Sequence, residues 1–203
     1  MMGDRTNGGA DDGLRIDAFQ IDVSLLVERN VASLYSHLVT RPTGRAVRLA
    51  IESQLVELSG TTLSLIDLSE VTVLDFSCAD EVVAKLLLRY LDADRPREAF
   101  FVFRGVGEFH REPIQEVLER HALTAVAETG GGRFGLLGAR LEREAEVWER
   151  IERRGRVLEP ELDDVVPERE DRLALERLAD RRLVLRDPRR DDFHALSTLI
   201  GGS

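Results

Sequence analysis

A serine between carboxylates marks the part of the chain best suited to chemistry. Ser77 lies between Asp75 and Asp80, where an apolar run ends and a helical pattern begins. A serine at a helix start accepts a hydrogen bond from the backbone N–H three residues on, so Ser77 to Asp80 predicts a capping box that contributes about 1 kcal/mol. A phosphate on the same hydroxyl would add a charge of about −2 at the positive end of the helix dipole. Ser77 is therefore both a candidate helix cap and a candidate phosphorylation site.

Arginine and threonine side chains near a second predicted helix start have the chemistry to hold an anion. Arg41, Thr43 and Arg45 alternate with Pro42 and Gly44. Backbone N–H groups and two guanidiniums suit a phosphate or a partner's carboxylate. The same residues also fit a proline turn in which Thr43 caps the helix and the arginines are solvated. Both interpretations place the helix start at Thr43.

A cysteine and a histidine are candidates for a third kind of chemistry, in which a nucleophile is activated by a base. Cys78 and His110 would have to meet, with Glu108 or Glu112 orienting the ring. Cys78 lies in an apolar helical run, where a free thiol is usually buried, and no oxyanion loop is evident. We therefore expect no catalytic residue and no enzyme. Because no His stands at ligand spacing from another His or Cys, we expect no metal and no cofactor.

The elements that would position these residues alternate between strand and helix patterns. Apolar runs predict strands at 14–23, 63–67, 71–75, 99–103, 123–128 and 134–138, the last two joined as a hairpin by a glycine turn. Helical spacing predicts helices over 43–58, 77–91 and 114–121, whereas 24–40 fits a helix or a strand. This alternation predicts an α/β sheet covered by helices.

The segment LIDLSEVTVLDFSCADEVVAKLL, residues 65–87, resembles the STAS domain of anti-sigma-factor antagonists. In that family a strand of the same spacing leads into a serine-containing helix start, and the resemblance places Ser77 on the serine that is phosphorylated. The chain is similar also to a STAS-like group of bacterial proteins with two characteristic helix starts. Their counterparts here are Thr40-Arg41-Pro42-Thr43-Gly44-Arg45 and Cys78-Ala79-Asp80-Glu81-Val82. The match covers roughly residues 17–138.

The resemblance implies a domain at 14–138 that binds a protein partner. Residues 1–13, which contain no apolar core, are expected to form a disordered tail. The expected partner is an anti-sigma kinase or a related GHKL-type ATPase. The expected partner-binding residues surround the two helix starts and are Arg41, Thr43, Arg45, Asp75, Ser77, Asp80 and Glu81. The chain would then be a non-enzymatic bacterial regulatory adaptor, switched at Ser77.

Beyond Gly138 the composition shifts to Glu and Arg, which predicts a second domain at 139–203. Helical patterns at 141–153, 160–165 and 167–182, followed by two short strands, resemble a winged helix-turn-helix. The candidate DNA-binding residues are Arg172, Arg177, Arg181, Arg182, Arg189 and Arg190. Residues 139–203 carry 14 Arg against 17 Asp plus Glu, a net charge of −3, which disfavours DNA. A winged helix of this charge could equally serve protein contact or dimerisation. A transcription regulator that binds DNA through this domain is the alternative function.

Composition narrows the function classes further. The formal net charge of −10 argues against a protein that coats nucleic acid or an anionic membrane. One cysteine excludes an intrachain disulfide and fits a reducing compartment. We expect no signal peptide and no membrane segment, because no run approaches about 18 apolar residues. The expectation is a cytoplasmic protein, with the Arg/Glu-rich helices as a candidate homodimer contact.

Overall fold

A computed structural model describes residues 16–23, 37–58 and 60–200 of the chain. The strands are β1 (Ile16–Asp22), β2 (His37–Leu38), β3 (Thr61–Asp67), β4 (Val73–Leu74), β5 (Ala99–Arg104), β6 (Thr124–Gly130), β7 (Arg133–Gly138), β8 (Arg156–Val157), β9 (Val184–Arg186) and β10 (Phe193–Ala195). The helices are α1 (Arg41–Val56), α2 (Phe76–Ala79), α3 (Leu86–Leu91), α4 (Glu108–Arg120), α5 (Glu142–Arg154), α6 (Leu162–Val165), α7 (Arg169–Asp180) and α8 (Leu196–Ile200). A π-helical segment, Asp80–Lys85, joins α2 to α3, and we call residues 76–91 the central helix.

Five strands form a mostly parallel sheet in the order β1, β3, β5, β6, β7. The first four run parallel, and β7 returns antiparallel to β6 as the predicted hairpin. Since β1 pairs only with β3 among the described strands, it lies at one edge of the sheet. The α/β fold class is therefore confirmed.

Helices α1 and α4 flank the central helix on one face of the sheet. The inward side chains of the strands, such as Ile66 and Phe103, pack there against Val47 of α1, Val83 of the central helix and Val117 of α4. The apolar residues that give the central helix its helical spacing are buried, and so are its polar residues Asp80 and Glu81. These apolar residues are Ala79, Val82, Val83, Leu86, Leu87 and Tyr90. This helix is thus enclosed by the sheet and by both neighbouring helices.

The segment predicted as a strand at 71–75 forms only the short strand β4, and it does not join the main sheet. It pairs in parallel with β2, with His37 opposite Val73 and Leu38 opposite Leu74. The ambiguous stretch 24–40 is described only from residue 37, where the chain is extended, and the rest of that prediction lies outside the described residues.

The C-terminal elements follow the predicted order of helices and strands. Helix α5 leads through β8 to a 3₁₀ turn at Glu159–Glu161, then to α6 and α7, and finally to β9 and β10. The three short strands form an antiparallel sheet in the order β8, β10, β9. The helices at 141–153, 160–165 and 167–182 and the closing strand pair are confirmed within one to three residues at most ends.

This C-terminal region covers the second face of the main sheet. Leu65 of β3, Val102 of β5 and Leu136 of β7 share one apolar cluster with Trp148 of α5 and Leu178 of α7. The proposed boundary at residue 139 stays a prediction, but the residues on either side of it are packed into a common core. Among the helices that the structure describes, none combines the length and apolar character needed to cross a membrane.

Candidate functional site

The two predicted helix starts lie side by side because the short strands that precede them are paired. Strand β2 leads into α1, and β4 leads into the central helix. The backbone N–H of Asp75 donates to the carbonyl of Leu38 at 2.9 Å, and the thiol of Cys78 donates to the carbonyl of Thr40 at 2.9 Å. Two helix N-termini, each carrying positive dipole ends, therefore share one surface.

Asp75, not Ser77, caps the central helix. Its Oδ1 accepts from the backbone N–H of Cys78 at 2.8 Å, while Ser77 lies inside the first turn and donates its hydroxyl to the same oxygen at 2.9 Å. The predicted capping box from Ser77 to Asp80 is wrong, since the Asp80 carboxylate bonds elsewhere. Asp and Ser are both good caps, and the extended conformation of residue 75 decides between them.

Helix α1 begins earlier than the sequence suggested. Thr40 is the cap, with its side chain accepting from the N–H of Thr43 at 3.3 Å, so Arg41 to Gly44 form the first turn and not a break. Pro42 suits this place because the first turn needs no N–H donor from it. The prediction of Thr43 as the cap is wrong.

Glycine at position 44 lets the two helices cross at close range. A methyl group on Gly44 would lie 2.8 Å from Cα of Cys78 and 3.2 Å from Cβ of Glu81. Ordinary carbon–carbon contacts are about 3.5–4.0 Å, so only glycine fits here without movement. The crossing fixes the distance between the two helix starts.

Asp80 and Glu81 form a buried ionic network beneath this surface. Asp80, 6% exposed, accepts from Arg41 Nη1 at 2.7 Å and bonds His121 Nε2 at 2.8 Å. Glu81, 3% exposed, bonds Arg41 and Lys85, and accepts from Arg48 Nε at 3.3 Å. The network ties α1, the central helix and the end of α4 together.

Burial alone would raise the pKa values of these two carboxyls, but the cations around them outweigh it. Hydrogen bonds from Arg41 and His121 lower the pKa of Asp80, and hydrogen bonding and charge from Lys85 lower the pKa of Glu81. At neutral pH both carboxylates are ionised, and their oxygens are occupied by these hydrogen bonds and ion pairs. Although both were predicted to bind a partner, the structure places them in the interior, where they hold the helices together.

The surface above the network combines apolar side chains with the remaining predicted residues. Val39, Val73 and Phe76 are 49%, 39% and 40% exposed. Arg41 and Arg45 are exposed, and Thr43, Asp75 and Ser77 are partly exposed. We call these eight residues, which lie just after β2, in and after β4 and in the two helix starts, the rim. Sequence analysis missed the three apolar members, for which the one available signal was Phe76 standing between two polar residues.

Cys78 and His110 do not form a reactive pair. Burial, with the Asp75 carboxylate next, raises the pKa of the Cys78 thiol to about 12, and its hydrogen is engaged by Thr40. His110 is buried in its own helix start, with Nδ1 3.3 Å from the N–H of Gly107. A thiol of this kind is a poor nucleophile at neutral pH.

The arginines predicted to contact DNA are largely engaged within the protein. Arg177 Nε and Arg181 Nη1 bond the buried carboxylate of Glu144 at 2.8 and 2.7 Å, and Arg172 bonds Asp163. Arg182 Nη2 bonds Glu98 at 2.6 Å, and its guanidinium stacks over Phe100. These residues fasten α7 to α5 and to the main sheet. Arg189 and Arg190 lie in the turn between β9 and β10.

Comparisons of the chain with protein-family models, with curated proteins and with solved structures found no match. Within the described residues no cluster of three or more His, Cys, Asp or Glu is arranged to hold a metal ion. The geometry of the rim is therefore the basis on which a function can be assigned.

Proposed function

We propose that the protein is a regulatory adaptor that binds a protein partner through the rim. The STAS-like resemblance of residues 65–87 suggests the partner class, a bacterial anti-sigma kinase or a GHKL-type ATPase, and a cytoplasmic setting. The adaptor is non-enzymatic in this proposal. Binding to the partner, rather than chemistry on a substrate, is its activity.

The exposure of Val39, Val73 and Phe76 beside Ser77 is the observation that carries this proposal. Clustered apolar side chains ringed by polar ones are typical of protein-binding surfaces. Phe76 is the strongest candidate for an anchor, since aromatic residues dominate binding energy at interfaces. Phe109, at the start of α4, is a further exposed aromatic side chain at the carboxyl edge of the sheet, with 82% of its surface accessible.

Rigidity beneath the rim supports the same function. The close crossing at Gly44 and the ionic network of Asp80 and Glu81 hold both helix starts in place without a partner. A preorganised surface loses less conformational entropy on binding, so more of its contact energy appears as affinity. A rim built from loops alone would lack this advantage.

The position of Ser77 supports a switch within the rim. Its hydroxyl is partly exposed and donates to Asp75 at 2.9 Å. A phosphate there would place about two negative charges beside the Asp75 carboxylate and would compete with it for the N–H of Cys78. Modification would thereby change both the charge of the rim and the capping of the central helix.

Affinity purification from the native cells tests the proposal. The tagged wild-type chain is compared with Phe76→Ala and with Leu173→Ala, a matched control that is 49% exposed on α7. We expect one regulatory kinase or ATPase to co-purify with the wild type and the control, and to fall about tenfold or more with Phe76→Ala. Equal recovery with all three chains would refute a binding role for the rim.

The switch has a separate test. If a kinase acts on the chain, mass spectrometry should find phosphate on the peptide that contains Ser77, and Ser77→Ala should abolish the response to the kinase while leaving the fold intact. Ser77→Asp should shift partner affinity in the direction that phosphorylation does. A response retained in Ser77→Ala removes Ser77 as the switch without touching the adaptor proposal.

The order of C-terminal elements favours one second candidate, a DNA-binding winged helix. Such a domain needs a helix, a strand, two helices and two strands in this order. The C-terminal region has them, and its three strands form one antiparallel sheet. The ion pairs of Arg177, Arg181 and Arg182 weigh against it, because they would have to break before the guanidiniums met phosphate. Fluorescence anisotropy with promoter DNA at two salt concentrations decides: micromolar affinity that falls steeply with salt supports this candidate.

A further inference from the structure

The edge of the main sheet opposite β1 borders a groove. Strand β7 pairs only with β6 among the described strands, and α5 lies beside its first half. The groove between them has a volume of about 680 Å³. Phe134 and Leu136 line it on the strand side, and Ala145 and Trp148 line it on the helix side. We call it the edge groove.

Two contacts identify which backbone groups of β7 face outward. In an antiparallel pair, residues alternate between those that exchange hydrogen bonds with the partner strand and those that point away. Ala139 donates to Leu123 at 2.7 Å, whereas Gly138 donates its N–H to the side chain of Gln115 at 2.9 Å. Gly138 therefore points away from β6. By alternation, the N–H and C=O groups of Leu136 and Phe134 point away as well.

The protein itself covers one end of this edge and leaves the other open. The side chain of Gln115 accepts a hydrogen bond from the outward N–H of Gly138, and Arg140 Nη1 donates to the outward carbonyl of Leu136 at 2.6 Å. The outward N–H of Leu136 and both outward groups of Phe134 have no such side-chain cover within the described residues. These three groups border the edge groove, on the side of β7 where an added strand would pair.

Charge selects the kind of strand that fits. Arg133, Arg140 and Arg153 line the edge groove, against Glu149 and Glu152, in a chain whose formal net charge is −10. The Oε2 atom of Glu152 is buried without a hydrogen-bond partner, and burial raises the pKa of this carboxyl. Three arginines against two glutamates give the lining of the edge groove a formal charge of +1.

We propose that the edge groove binds an extended acidic peptide segment of a partner protein, which adds as a strand alongside β7. The open groups of Phe134 and Leu136 would pair with its backbone, Trp148 and Ala145 would contact its alternate apolar side chains, and the arginines would contact its carboxylates. A second copy of this chain fits less well, because edge-to-edge pairing of two β7 strands would bring both sets of arginines together. This site is distinct from the rim and does not depend on the function proposed for it.

Fluorescence anisotropy of a labelled ten-residue peptide tests the site on the full chain. The probe alternates Glu and Val, and the comparison peptides are a Lys-Val decamer and a Glu-Val decamer that is N-methylated at alternate residues. We expect saturable binding of the Glu-Val peptide below about 1 mM, and binding at least about tenfold weaker for both comparison peptides. Loss on N-methylation reports backbone pairing, and loss with lysine reports charge.

A matched pair of variants keeps the site falsifiable. Phe134→Pro removes the outward N–H, which a strand at a sheet edge tolerates, whereas Phe134→Val shortens the side chain and keeps that N–H. With both variants folded by circular dichroism, we expect the proline variant to bind the peptide about tenfold more weakly than the valine variant, a difference of about 1.4 kcal/mol.

Three results would overturn the proposal. One is the absence of saturable Glu-Val peptide binding up to about 1 mM, and another is equal affinity of the two Phe134 variants. The third is a dimer in sedimentation equilibrium that Phe134→Pro dissociates and the peptide does not, since that would assign the edge to a second copy.

Discussion

Replacing Gly44 by alanine should destabilise the protein, although the same change stabilises an ordinary helix. In a helix without neighbours, alanine is favoured over glycine by about 0.5–1 kcal/mol, because glycine loses more backbone entropy on folding. At position 44 the new methyl group would lie 2.8 Å from the backbone Cα of Cys78. That distance falls about 1 Å short of an ordinary contact, and the obstacle is main chain that cannot rotate away.

The expected sign follows from comparing the two effects. Overpacking of this kind costs about 1–3 kcal/mol, so the net loss in the free energy of unfolding should be about 1 kcal/mol. In a chain of this length the melting temperature should fall by about 2–4 °C. Since the rim rests on this crossing, partner binding should weaken as well.

Urea unfolding, followed by circular dichroism and by the fluorescence of the single Trp148, measures the loss. Ser53 is exposed on the same helix, so Ser53→Ala and Ser53→Gly supply the alanine-against-glycine difference where no neighbour interferes. We expect alanine to be the more stable choice at 53 and the less stable at 44. If alanine is favoured at both positions, the helices do not cross as closely as described.

Further predictions concern groups whose surroundings fix their chemistry. Cys78 should react with iodoacetamide only on unfolding, because a thiol pKa of about 12 leaves a thiolate fraction near 10⁻⁴ at about pH 8, and fast labelling of the native protein would contradict this. Asp80→Asn should lower the free energy of unfolding by roughly 1–3 kcal/mol at neutral pH. Because the folded pKa of Asp80 lies below its ordinary 3.8, this loss should persist above that pH and shrink on further acidification. A loss that does not change with pH in urea melts would show that the charge of Asp80 does not cause it. Glu144→Gln should lose about 1–3 kcal/mol because Arg177 and Arg181 lose a buried partner, whereas the exposed control Glu146→Gln should stay within about 0.5 kcal/mol, and equal losses would assign no role to the pairing.

The sequence pattern predicted the strands of the main sheet and most helices because burial imposes its period on apolar residues. It placed Val82, Val83, Leu86 and Leu87 correctly in the core. The same helical period predicted that Asp80 and Glu81 face the solvent. A π-helical turn shifts the register there, and five consecutive residues, Asp80 to Ala84, are buried. A pattern of 3.6 residues carries no signal for that irregularity.

Features that depend on distant parts of the chain were beyond prediction. The pairing of β2 with β4 joins segments more than 30 residues apart, and it brings the two helix starts side by side. Helix caps were misplaced by two or three residues, because several good capping residues stand close together and only the backbone conformation chooses among them.

The relation between the C-terminal region and the sheet was likewise hidden in the sequence. The composition change at residue 139 suggests a separate unit, and the arginines of α7 suggest an outward basic face. In the structure Arg181 donates to the carbonyl of Ala139 at 2.8 Å, and Arg182 lies against the sheet. Arginine can bind nucleic acid or fasten a helix, and only the position of its carboxylate partners distinguishes the two.

Photo-crosslinking in the native cells tests the central claim, that the rim binds a protein, most directly. The photoreactive p-benzoylphenylalanine replaces Phe76 in one chain and Leu173, on α7, in a matched control. We predict a single crosslinked protein from position 76, identified by mass spectrometry as a regulatory kinase or ATPase, and no such product from position 173. No crosslink at position 76, or the same products from both positions, would contradict the claim.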